Sequence, residues 1–117
     1  MYTYNYLNRW GCSPPPVGRQ NNPDMPKSPP PNFIPDIYKA HALGFEKTPR
    51  INLVLPATVM PCLYNLTYVW LNNKSTLWIK PIAINKNEIT CWIWSGSKWN
   101  LGKMQLSDMD KFICKWF

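Results

Sequence analysis

Ten of the thirteen prolines in this chain lie before position 50, and six of the seven tryptophans lie after it. Proline has no backbone N–H and a fixed φ, so a proline-dense stretch cannot enter the interior of a helix or sheet. Large aromatic side chains are the material from which a small core is built. Only the later part of the 117 residues can therefore supply a compact core. The chain reads as an extended Tyr/Pro-rich arm (1–35), a connecting segment with one short strand (36–60) and a β domain (61–117).

The densest run of strand-favouring residues is Cys62-Leu-Tyr-Asn-Leu-Thr-Tyr-Val-Trp-Leu71, followed by a polar break at Asn72-Asn73-Lys74-Ser75. Strand alternation puts Cys62, Tyr64, Leu66, Tyr68 and Trp70 on one face. The opposite face is half apolar, so both sides expect a cover. Thr76 to Ile84 reads as the return strand, with Pro81 placing a bulge or an edge. Ile89 to Trp94, Lys98 to Met104 and Lys111 to Phe117 follow, separated by polar turns at 85–88, 95–97 and 107–110. Short strands at this spacing predict an all-β fold, a small antiparallel barrel or sandwich of about five to seven strands.

Upstream, residues 36–48 predict one or two weak helical turns, capped by Asp36 and stopped by Gly44 and Pro49. Ile51 to Leu55 predicts the short strand, closed by Pro56. The runs Ser13-Pro14-Pro15-Pro16, Asn22-Pro23 and Ser28-Pro29-Pro30-Pro31 favour extended polyproline geometry. At ~3.1 Å per residue, positions 14–35 could reach on the order of 70 Å. Ahead of them Tyr2, Tyr4 and Tyr6 alternate like a strand without a partner. With Trp10 they are the candidate subunit contacts of an arm; the alternative is a simple tail.

The formal charge of +7 favours acidic partners, but the lysines are dispersed singly rather than in a basic run. No run of eighteen apolar residues predicts a transmembrane helix. The first ten residues lack a basic start and an apolar centre, so no signal peptide is expected.

Cysteines stand at 12, 62, 91 and 114, with neither a C-x-x-C nor a zinc-finger spacing. His41 is the only histidine, and no ligand set or nucleophile–base pair accompanies it. No catalytic residue, cofactor or metal is expected. The four cysteines read either as buried thiols or as pairs formed in an oxidising place. In a five-stranded meander that closes on itself the first and last strands become neighbours, which allows an intrachain Cys62–Cys114 bridge. Cys12, at the end of the arm, and Cys91, in the third strand, then remain for a bond between subunits.

The pattern Cys62-Leu63, Thr67-Tyr68-Val69-Trp70-Leu71, Asn72-Asn73, Trp78, Pro81, Trp92 to Trp99 and Phe112 to Trp116 resembles a group of small proteins of clostridial spore-formers. Their tails are likewise Pro-rich (compare Tyr4-Asn5-Tyr6-Leu7 and Ser28-Pro29-Pro30-Pro31-Asn32-Phe33). In that group the turn is usually Asn-Gly rather than Asn73-Lys74, and a small residue stands in place of Cys91. The resemblance therefore lends the Cys12–Cys91 bond no support. It implies a spore-forming source and a place on the spore surface or outside the cell, reached by release from the mother cell. The expected function is a self-assembling structural subunit of a filament or layer, each arm docking on neighbouring copies. Its partners are then copies of itself and other spore-surface proteins, with no membrane. The alternative is a nucleic-acid-binding small β-barrel, with Trp70, Trp78, Trp92, Trp94 and Trp99 as stacking platforms.

Overall fold

In the computed structural model, residues 25–117 are described. Five antiparallel strands form one sheet: β1 (Thr67–Leu71), β2 (Thr76–Asn85), β3 (Glu88–Trp94), β4 (Trp99–Gln105) and β5 (Met109–Cys114). Their order is β4-β3-β2-β1-β5. The first four strands are a meander, and β5 returns across it to pair with β1, from Thr67↔Cys114 to Leu71↔Met109. The expected all-β architecture is thus what the chain adopts, at five strands.

The hairpins follow the local chemistry. Between β1 and β2, Asn73 Oδ1 accepts from the Ser75 N–H at 3.0 Å, and Lys74 takes a φ of 76°, where the commoner Gly would be unstrained. Pro81 removes one ladder donor from β2, and the register against β3 shifts between Pro81 and Ala83. That bulge keeps both halves of a ten-residue strand in contact with β3.

Two expected strand boundaries are wrong. β1 begins at Thr67 rather than Cys62. Residues Met60–Cys62 form a 3-10 turn, Tyr64 has a φ of 64°, and Asn65 Nδ2 donates to the Leu63 carbonyl at 2.9 Å. Pro61 and the Asn65 side chain offer this stretch a local turn that outcompetes strand pairing. Tyr64 consequently points away from the core and is 57% exposed. At the other end β5 stops at Cys114, because Lys115 turns to a φ of 54°.

The connecting segment does more than connect. Asp36 caps α1 (Ile37–Ala42), its carboxylate accepting from the Tyr38 N–H at 2.9 Å, and Gly44 ends the turn with a φ of 80°. The expected strand at 51–55 is reduced to an isolated Thr48↔Leu53 bridge, and Pro56 opens a one-turn helix, α2 (Pro56–Val59). From this segment Ala40, Phe45, Val54 and Val59 enter the same buried cluster as the sheet. Phe45 stacks on Phe112 at 4.9 Å, and residues 45–47 run along β5, with Phe112 N–H donating to the Phe45 carbonyl at 3.0 Å.

Register divides the sheet into two apolar faces. Val69, Ile79, Cys91 and Phe112 share the face covered by the connecting segment. Cys62 and Cys114 are bonded on that side, with their Cα atoms 5.7 Å apart and a separation of 52 positions in sequence. The adjacency of first and last strands thus brings them together. Closing a loop of this size restricts the unfolded chain by about 4 kcal/mol in the chain-entropy model. Replacing both residues (Cys62→Ser with Cys114→Ser) is expected to lower the unfolding free energy by about that amount. Denaturant titration without reductant measures it.

Candidate docking face

The opposite face of the sheet is aromatic. By register it carries Tyr68 and Trp70 from β1, Trp78 from β2, Trp92 and Trp94 from β3, and Trp99 from β4. Neighbouring rings meet edge-on or tilted: Tyr68–Trp78 at 4.9 Å, Tyr68–Trp70 at 5.0 Å and Trp94–Trp99 at 5.2 Å. Such pairs contribute about 0.5–1.5 kcal/mol each beyond the area they bury. The Tyr68 hydroxyl donates to Thr76 Oγ1 at 2.8 Å, which fixes the ring across the β1–β2 hairpin.

The Pro-rich tail lies against this face. The Trp99 indole N–H donates to the Ser28 carbonyl at 2.9 Å, joining positions 71 residues apart. Phe33 stands edge-on to Trp78 at 6.0 Å and to Phe117 at 5.8 Å, and Phe117 meets Trp78 at 5.5 Å. A proline-rich segment keeps its carbonyls free of internal hydrogen bonds, so an indole N–H is a fitting donor to it.

Between the tail and the sheet an open groove of about 380 Å³ remains. Residues 31–34 line it on the tail side, residues 76–78 with Tyr68 line it from β1 and β2, and Trp94 with Ser95 and Gly96 line it from the end of β3. Ser95 holds that far loop in shape: its Oγ donates to the Lys98 carbonyl at 3.0 Å and accepts from the Lys98 N–H at 3.2 Å. Phe33 and Ile34 at the rim are 47% and 77% exposed. The groove is open and mostly apolar, and its lining carries no charged side chain.

The sequence-predicted sites fall as follows. Cys62 and Cys114 are bonded to each other. Cys91 is wholly buried, and burial pushes its thiol up to about 12. A neighbour's sulfur has no approach to it in this fold, so the expected Cys12–Cys91 bond between subunits runs against the burial of one partner. Cys12, Tyr2, Tyr4, Tyr6 and Trp10 lie outside the described residues. Trp78, Trp92 and Trp99 are 5–8% exposed, so three of the five indoles considered for base stacking are core side chains. His41 Nδ1 pairs with Glu46 at 2.8 Å, and Lys111 approaches the same carboxylate at 3.6 Å, tying α1 to β5. Among the described residues no three His, Cys, Asp or Glu side chains gather to hold a metal ion, and no helix is long and apolar enough to cross a membrane. The packing of residues 28–34 on this face is not announced by the sequence, because a proline run signals extension but not the surface it lies on.

Comparison of the chain with protein-family models, curated proteins and solved structures finds no match.

Two outcomes are expected. Trp99→Phe keeps a ring but removes the N–H, and should destabilise the fold by about 0.5–1.5 kcal/mol and raise the hydrogen-exchange rate of residues 27–34. Burying Cys91 as a thiol makes the folded state hold its proton above pH 9.0, where the unfolded chain releases it. Stability should thus be unaffected below about pH 9 and fall by about 1.4 kcal/mol per pH unit above it. Comparing Cys91→Ala with the parent, each also carrying Cys12→Ser, isolates this slope from the tyrosines and lysines that titrate in the same range.

Proposed function

We propose that the protein is a self-assembling structural subunit of a filament or layer, and that its N-terminal arm docks on neighbouring copies. The observation that carries this reading is the groove beside the tail. It is an apolar surface with aromatic floor and exposed rim, and its lining suits the kind of segment the arm is made of. The intrachain disulfide supports a working life in oxidising surroundings, where extracellular and surface layers reside. The resemblance to proteins of spore-formers supports the spore surface as that place, with other surface proteins as further neighbours.

The head of such a subunit must be rigid and its connector long. A sheet closed by a disulfide answers the first need. The second is met by the proline-dense arm, which binds with little entropy to lose because its backbone is already restricted. A contact between one copy's arm and the next copy's groove is head-to-tail, and such a contact propagates wherever its rotation does not close a ring.

Negative-stain electron microscopy of the purified protein without reductant, beside a chain lacking residues 1–24, tests the reading. Ordered filaments or sheets are expected from the full chain and discrete particles from the shortened one. The shortened chain keeps the Ser28 and Phe33 contacts, so loss of order there reports on the arm alone. Discrete particles in both samples would sink the proposal.

A further inference from the structure

The tetrapeptide Ser-Pro-Pro-Pro occurs twice in the chain, at Ser13-Pro14-Pro15-Pro16 and at Ser28-Pro29-Pro30-Pro31. The second occurrence is seen in place on the aromatic face. Its serine carbonyl takes the Trp99 indole N–H at 2.9 Å, and Phe33, just beyond its last proline, seats edge-on against Trp78 at 6.0 Å. An aromatic surface that donates an indole N–H to the carbonyl of a proline run is the recognition mode of polyproline-binding modules.

We infer that this face is a receptor for the Ser-Pro-Pro-Pro element, and that the copy at residues 13–16 docks in the open groove of a neighbouring molecule. The inference rests on the assembly reading above and names its contact. The groove lies directly beside the docked element, with Pro31 and Phe33 as one wall and Trp94 bringing a second indole on the other. Its volume of about 380 Å³ falls within the range of pockets that take a small ligand or a short peptide segment. Prolyl rings pack flat on such walls, and their carbonyls have no internal donor to satisfy them. The occupant is named by the chain itself, since the element already bound on this surface recurs fifteen residues upstream, beyond the described part. Each molecule then offers one groove and one further copy of the element. A single such contact is weak, and an array of them gains by avidity.

The test uses the full chain with the photoreactive residue p-benzoylphenylalanine in place of Val17, mixed one to one with an ¹⁵N-labelled chain that has Val17. After illumination, cross-linked peptides are mapped by mass spectrometry, and the same mixture is imaged by negative stain. Cross-links from position 17 of the light chain to the heavy chain's Trp78 or Trp94 peptides are expected. Their yield should fall about tenfold when Pro14, Pro15 and Pro16 are changed to Ala. Assembled material whose cross-links map elsewhere on the heavy chain overturns this inference and leaves the assembly reading standing. Cross-links confined to the light chain's own groove overturn delivery by a neighbour. Discrete particles without heavy–light cross-links overturn both.

Discussion

A sheet that is apolar on both faces has no side to leave in water, and everything outside the five strands answers to that. A free-standing antiparallel sheet keeps one polar face. Here Val69, Ile79 and Phe112 demand a cover on one side, and Tyr68, Trp78 and Trp99 demand one on the other. The connecting segment supplies the first with Phe45, Val54 and Val59. Ser28, Phe33 and Phe117 contribute to the second. The covers differ in kind: the first is fully part of the core, whereas the second leaves a groove and an exposed rim. The incomplete cover is where a partner has something to gain.

The disulfide belongs to the complete side. Cys62 and Cys114 stand ahead of β1 and at the end of β5, so the bond fastens the pairing that adds β5 to the meander. That pairing is the most non-local contact in the sheet and the last one the chain could form by local zipping. Cys91, by contrast, sits buried mid-strand between Pro81 and Gly102 of the flanking strands, and there a thiol behaves as a small hydrophobe.

Most of the sheet could be read from sequence because each hairpin carries its own signal. Asn72 to Ser75, Asn85 to Glu88 and Ser95 to Ser97 are polar breaks between aromatic or β-branched runs, and Pro81 announced its bulge. The Cys62–Cys114 pair is expected from a meander closing on itself; in the open sheet β5 instead crosses back to β1, which makes the two strands neighbours by another route. What was not legible is what covers the strands. Tyr64 fits the alternation of β1 perfectly well, yet Pro61 and Asn65 fold it outward, because local turn chemistry competes with pattern. Residues 36–60 look too polar and broken to be core. Their four buried side chains are scattered singly, and no periodicity marks them. The docking of residues 28–34 depends on a carbonyl and an indole far apart in sequence, and no local window contains both.

The bridge also sets how the molecule carries load. If tension enters through the tail, it reaches the sheet through Ser28 and Phe33 before it reaches any strand. With Cys62 and Cys114 joined, residues 63–113 are taken out of the force path, since pull arriving at one cysteine passes straight to the other. The strands cannot be unravelled end to end while the sulfurs remain joined. Stretching is confined to the tail and the connecting segment, which can peel away and reseat. Such a molecule gives by a fixed length and then holds, like a tether with a stop.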